Sequence, residues 1–166
     1  MHTVERVAVA AAVVLGLSGC GAGGGTSTGS ATPGLPEGAS SPEQAVETFL
    51  DAVTESQRAK AAGEFTEADR AYERMASVFG TEEGSISRSF SAQEVRDRMI
   101  VLSACFRPMG YRIITQPDPQ AWQARQTTVT VQLRRSQGVL TLPFVLVLGR
   151  GDRWFVQQIV MSSVTC

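Results

Sequence analysis

Cysteine and histidine are the residues of this chain best suited to chemistry, and both are scarce. The sequence has three cysteines, Cys20, Cys105 and Cys166, and one histidine, His2. A cysteine can act as a nucleophile, a metal ligand, a lipid acceptor or a disulfide partner, whereas histidine is the usual general base. What each cysteine can do therefore depends on the segment that surrounds it.

Cys20 follows a short apolar segment near the N-terminus. Residues 7–17 are apolar or glycine and carry no charge. They are fewer than the ~20 that a membrane-spanning helix needs, but typical of the apolar part of a secretory signal. The sequence Leu17-Ser18-Gly19-Cys20 comes next. The alternatives are an ordinary signal peptide with a chance cysteine and a short buried helix.

This tetrapeptide resembles the lipobox of bacterial lipoproteins. The resemblance implies that a peptidase cuts between Gly19 and Cys20 and that the Cys20 thiol carries a diacylglyceryl group with fatty-acyl chains such as palmitate. We therefore expect a lipid-anchored protein on the extracytoplasmic face of a cell membrane or outer membrane.

Composition divides the chain into three parts. We expect a signal peptide at 1–19, the lipidated cysteine and a flexible tether at 20–40, and one α+β domain at 41–166. Seven of the twenty residues from 21 to 40 are glycine, and most others are Ser, Thr, Ala or Pro. Such a segment buries too little apolar surface to offset its ordering entropy. The alternative to a tether is low complexity with no selected length.

Several function classes are excluded by what the mature chain lacks. Cleavage would remove His2, so histidine-based triads, imidazole bases and histidine-ligated zinc are not expected. We predict no metal and no cofactor. The net charge of −1 gives no basic excess for binding phosphates, so nucleic acid is not an expected partner.

Hydrophobic periodicity predicts three helices at the start of the domain. Ser41-Pro42-Glu43-Gln44 and Ser91-Ala92-Gln93-Glu94 both have the spacing of a capping box. Gly63 is placed to end the first helix, and Thr66 is a weaker cap for the second. The predicted helices are 42–62, from after Thr66 to about 79, and from 92 to about 105, with a loop at 81–88.

Beyond Gly110 the apolar period changes from 3.6 to 2, which indicates strands. Pro143 lies inside the longest strand and predicts a bulge or an unpaired position there. The predicted strands are 111–115, 128–134, 139–148 and 153–161. Together these elements predict an α+β fold with three N-terminal helices packed on a curved, mainly antiparallel four-stranded sheet.

The segments SPEQAVETFLDAV and PFVLVLGRGDRWFV resemble the nuclear transport factor two-like superfamily, in particular its small bacterial lipoproteins of unknown function. The resemblance implies a cone with an internal pocket, for which Phe49, Tyr72, Tyr111 and Trp154 are the candidate residues. Many enzymes of the superfamily place a tyrosine on the first helix. The matching position here is Phe49, which has no hydroxyl, so no catalytic residue is predicted. Tyr72 and Tyr111 are expected mainly to pack in the core.

Two further features allow more than one interpretation. If Cys20 is lipidated, Cys105 and Cys166 form an even pair in an oxidising compartment, which predicts a disulfide; two reduced thiols are the alternative. Arginines 96, 98, 107 and 112 could form an anion-binding lip, although solvated arginines that pair with Glu94 and Asp97 are expected instead.

Three functions remain open. The expected one is a non-enzymatic envelope lipoprotein that binds or scaffolds an unknown envelope protein or a small apolar ligand. The second is a small enzyme, isomerase- or dehydratase-like, that uses the cone pocket. The third is a structural or inhibitor-like module without a pocket. The lining of the interior distinguishes them, because an enzyme needs converging ionisable groups and a ligand needs empty space.

Overall fold

The computed structural model describes residues 36–114 and 120–161. Its elements in chain order are α1 (Pro42–Ala62), α2 (Phe65–Ser77), β1 (Gly80–Thr81), β2 (Gly84–Ser85), a 3₁₀ turn (Ile86–Arg88), α3 (Ala92–Phe106), β3 (Gly110–Ile113), the short helix α4 (Ala121–Ala124), β4 (Gln126–Arg135), β5 (Gly138–Gly149) and β6 (Arg153–Ile159). The main sheet is antiparallel in the order β3-β4-β5-β6. The predicted α+β class, with three long helices and a four-stranded antiparallel sheet, is confirmed.

Helix α1 has the predicted bounds, but its cap differs in one respect. The Ser41 hydroxyl accepts a hydrogen bond from the Gln44 amide, and Gly63 ends the helix at φ 76°, where glycine has no Cβ penalty. The Gln44 side chain, however, accepts from the backbone N–H of Ser40 at 2.9 Å, one residue before the position that a capping box requires. The reciprocal half of the predicted box was therefore wrong.

Helix α2 differs more from its prediction. It begins at Phe65 after Glu64, which makes no capping bond through its side chain, so Thr66 is not the cap. It ends at Ser77, and part of the predicted loop that follows forms the antiparallel hairpin β1–β2. Periodicity did not reveal this hairpin, because two-residue strands are too short to show alternation.

Helix α3 begins with the predicted capping box. The Ser91 hydroxyl accepts from the Glu94 amide, and the Glu94 carboxylate accepts from the Ser91 N–H at 3.0 Å. These bonds from Ser91 lower the pKa of Glu94. The helix ends at Arg107, which takes the left-handed conformation at φ 38°.

Residues of the sheet alternate between two faces. Val129, Val131 and Leu133 of β4 pair with Phe144, Leu142 and Leu140 of β5. All six belong to or pack against the hydrophobic core that the helices share, so this is the inner face of the sheet. The residues between them point to the opposite side, which we call the outer face.

Pro143 was predicted to mark a bulge or an unpaired position, and the structure shows the second of these, because Pro143 has no register partner on β6. On the other side it pairs in register with Thr130 of β4, and the irregularity lies two to three residues further along β5, between Val145 and Leu146, on the side of β6. The Pro143 carbonyl accepts from the Val160 N–H, just beyond the end of β6. The position of the missing Pro143 N–H therefore lies beyond the last residue pair of the β5–β6 ladder. Its absence removes no hydrogen bond of that ladder.

The packed domain starts before Ser41. The backbones of Ala39 and Trp154 exchange hydrogen bonds of 2.9 and 2.8 Å, and the Gly38 N–H donates to Ser77 at 2.8 Å. Arg153 donates to the carbonyl of Gly38 at 2.8 Å. Residues 37–40, which the sequence places in the tether, are therefore attached to the edge of β6 and belong to the domain.

Candidate functional site

The predicted lipidation and cleavage residues, Gly19 and Cys20, lie outside the described residues, as does Cys166. Cys105, near the end of α3, is 4% exposed and disulfide-bonded. Its predicted pairing with Cys166 remains a prediction, because the structure does not describe the second cysteine.

Aromatic side chains fill the interior between the helices and the inner face of the sheet. Phe49 of α1 lies at the centre, with ring centroids 6.0 Å from Phe79, 5.9 Å from Phe106 and 6.1 Å from Phe144. Phe49, Phe106 and Phe144 are fully buried. These are edge and tilted contacts at the usual separation of packed rings. Phe49 therefore packs as the centre of a core cluster.

The other three pocket candidates are not brought together around an open space. Trp154 is fully buried in the core at the start of β6, and Tyr72 of α2 is buried at the helix interface. Tyr111 of β3 is half-buried at the rim. Its hydroxyl donates to the Asp51 carboxylate of α1 at 2.7 Å. Burial and this acceptor raise the pKa of Tyr111 above its ordinary value, which keeps the phenol neutral and donating.

A buried polar contact joins α1 to α3. The hydroxyls of Ser56 and Ser103 lie 2.7 Å apart, and the Ser56 hydroxyl also donates to the Val53 carbonyl at 2.8 Å. Since each hydroxyl has one proton, the proton between the serines comes from Ser103. Tyr72 lies beside this pair, and burial raises its pKa, an effect that its interaction with Ser56 only partly offsets.

Ser103 of this pair also lines a surface cleft of about 290 Å³ between α1 and α3. Its lining residues are Gln57, Lys60, Ile100, Ser103, Ala104 and Arg107. The Gln57 side chain donates to the Ser103 carbonyl at 2.6 Å, and this bond links the two helices that form the cleft. The lysine and arginine lie at the C-terminal ends of the two helices, where positive charge offsets the helix dipole. The two cations therefore partly neutralise the carbonyl ends of the helices, and no carboxylate is among the lining residues of the cleft.

Sequence reasoning missed this cleft, although a signal was present. Ser56 continues the apolar stripe of α1 three residues after Val53, so a hydroxyl occupies a core position. A small polar residue on a buried stripe indicates a bond to a neighbouring element. Which element supplies the partner depends on the tertiary arrangement and cannot be read from the stripe.

The four arginines considered as an anion-binding lip do not converge. Arg96 pairs with Asp69 of α2 at 2.8 Å, and the Arg98 guanidinium lies 4.0 Å from the ring centroid of Phe90. Arg107 lines the cleft, whereas Arg112 donates to Gln132 at 2.8 Å on the outer face of the sheet. Each is therefore held by its own local contact or lies at a separate site.

Within residues 36–114 and 120–161, no group of three or more His, Cys, Asp or Glu side chains is arranged to hold a metal ion. No helix in the same ranges has the length and apolarity needed to cross a membrane.

No protein-family model, curated protein or solved structure matches this chain.

Proposed function

We propose that this protein is a lipoprotein anchored through Cys20 on the extracytoplasmic face of a cell membrane or outer membrane, and that its domain is a non-enzymatic binding or scaffolding module of the envelope. One observation carries the proposal: an uncharged apolar segment, Leu17-Ser18-Gly19-Cys20, a glycine-rich segment and a packed domain follow one another in the order that lipid anchoring requires. Two or more acyl chains hold a protein firmly, at ~0.8 kcal/mol per buried methylene.

The packing of the interior supports a role played by the surface of the domain. Phe49, Phe106 and Phe144 occupy the centre of the space where a cone would hold a ligand. No ionisable side chain is among the described buried residues apart from Tyr72 and the disulfide-bonded Cys105. Catalysis in such an interior would need converging acid and base groups. Contact with an envelope protein therefore fits the domain better than turnover of a substrate.

We also propose that the domain has the nuclear transport factor two-like cone fold. Three helices precede a four-stranded meander and pack on one face of it. The hairpin β1–β2 lies beside β6, where Phe79 forms a parallel bridge with Val156. An experimental structure superposed on members of that superfamily tests this assignment. A sheet whose strand order differs from theirs would contradict it.

The anchor is tested by the Cys20→Ser variant expressed in a bacterial host and labelled with a radioactive fatty acid. We expect the parent to carry label and to stay in the membrane fraction after an alkaline wash, and the variant to carry none. Cys166→Ser is the matched control, because it also replaces a cysteine by serine but leaves the lipobox intact. Label on Cys20→Ser equal to that of the parent would overturn the proposal.

A further inference from the structure

Charge is divided between the two layers of the domain. Helices α1, α2 and α3 carry nine carboxylates and six cationic side chains. The four strands of the main sheet carry four arginines and no carboxylate. The sheet is therefore the positively charged layer of a protein whose net charge is −1.

Part of this charge lies on the outer face, which the helices do not cover. Arg134 is exposed and pairs with Gly110 of β3 and Val139 of β5, so the Arg134 and Val139 side chains both point outward. The Arg134 guanidinium lies over Gly110, where an added Cβ would meet it at 3.1 Å. Arg112, two residues along β3, is also exposed on this face.

Apolar side chains accompany these arginines. Val139 is 64% exposed, and Ile114, which follows β3, is 42% exposed. Gln132 and Thr141, which are polar but uncharged, pair with each other two residues along the strands from the Arg134–Val139 pair. We call the set Arg112, Ile114, Gln132, Arg134, Val139 and Thr141 the outer patch. Cations interspersed with exposed apolar side chains are the composition of surfaces that bind anionic bilayers.

The N-terminal segment reaches the domain on the same side of the sheet. Arg153 and Phe155 of β6 point outward, because they pair with Gly149 and Val147. An added Cβ on Gly38 would lie 2.6 Å from the Arg153 Cβ and 2.7 Å from the Phe155 ring, so the chain at Gly38 runs across these outward side chains. A lipid attached upstream of this point would hold the outer face near the bilayer.

We propose that the outer patch docks the domain onto the surface of an anionic phospholipid bilayer. This inference rests on the proposed anchor. Sixteen residues separate Cys20 from Glu37, and a random coil of that length has an r.m.s. end-to-end distance of about 20 Å. Confinement at that distance gives the patch a high effective concentration of lipid. A contact made by two arginines and two apolar side chains, which recruits a free protein only weakly and at high vesicle concentration, then suffices to orient a tethered one.

The test uses the full chain extracted from native membranes, with Val139→Trp as the reporter and vesicles whose phosphatidylcholine is brominated on the acyl chains as the quencher. Added tryptophan emission is measured against the parent. The matched control is Val101→Trp, because Val101 is 61% exposed on the solvent side of α3 in the helical layer. We expect quenching of Val139→Trp in vesicles that contain phosphatidylglycerol and none for Val101→Trp.

A second set of measurements tests whether docking depends on the charge of the two arginines. Arg112→Gln and Arg134→Gln should each lower the ratio of docked to undocked protein about fivefold, and high salt should abolish docking. Equal quenching of both reporters, or equal quenching without phosphatidylglycerol, would overturn the inference. So would a blue shift of Val139→Trp emission that depends on protein concentration without vesicles, since it would show a second copy on the patch.

Flotation of the same samples separates the two proposals. If the chain floats with the vesicles but Val139→Trp is not quenched, the anchor stands and the docking inference fails. If the N-terminal peptide carries no lipid but Val139→Trp is quenched only with phosphatidylglycerol, docking stands and the anchor fails. If neither flotation nor quenching occurs, both fail.

Discussion

At the residue scale, hydroxyl groups account for the buried polarity of the helical layer. The Ser56 and Ser103 hydroxyls bond to one another, and Tyr72, which is also buried, lies beside them. Each hydroxyl satisfies a neighbour that would otherwise be buried without a partner. This arrangement costs little in desolvation because none of the three groups is charged near neutral pH.

The raised pKa of Tyr72 predicts a loss of stability in alkaline solution. Above about pH 10 the unfolded tyrosine ionises while the folded one keeps its proton, so the native state binds more protons and the free energy of unfolding falls as pH rises. The stabilisation is complete below the unfolded pKa and disappears as pH passes through the folded pKa. Tyr72→Phe should therefore show a shallower decline between about pH 8 and pH 11 in urea unfolding. Parallel curves for parent and variant would contradict this.

At the element scale, the caps of the helices can be compared directly. α3 has a complete capping box, whereas α2 begins at Glu64 without a side-chain cap. Ser91→Ala should lower the free energy of unfolding by about 1 kcal/mol, because it removes the acceptor of the Glu94 amide bond. Glu64→Ala is the control, with an expected change within about 0.5 kcal/mol. Chemical denaturation of both variants measures the difference, and an equal effect would refute the assigned role of Ser91.

The attachment of the N-terminal segment depends on one glycine. Gly38 has φ +68°, and an added Cβ would meet atoms of Arg153 and Phe155 within 3 Å. Gly63 has φ +76° and nothing within 4 Å. Gly63→Ala should thus cost about 1 kcal/mol of backbone strain alone, and Gly38→Ala about 2–4 kcal/mol, since overpacking adds to the strain. Thermal or urea unfolding should rank the two in that order; equal losses would mean that residue 38 is not packed.

Local signals determined how much of the fold could be predicted. Ser41, Gly63 and Ser91 mark helix ends through bonds to their own neighbours, so those ends were predicted correctly. The start of α2 and the hairpin at Gly80–Ser85 depend on tertiary contacts, such as the bridge from Phe79 to Val156, and were missed. The apolar stripe of α1 predicted that Phe49 faces the core. It did not predict that three other aromatic rings contact Phe49 there.

At the scale of the whole molecule, the domain is two layers with different surfaces around one aromatic core. Phe49→Ala should lower the free energy of unfolding by about 3–5 kcal/mol and open a cavity that binds a small apolar probe such as xenon. Phe65→Ala is the control, because that side chain is 68% exposed and its loss should change little. Probe binding to the unaltered protein would instead indicate an open pocket and favour a ligand-binding role.

The intact mass of the protein extracted from native membranes tests the proposed lipid anchor most directly. We predict a chain that begins at Cys20 and carries the added mass of a diacylglyceryl group with its acyl chains. A chain that retains residues 1–19, or one with an unmodified Cys20 thiol, would contradict the proposed anchor.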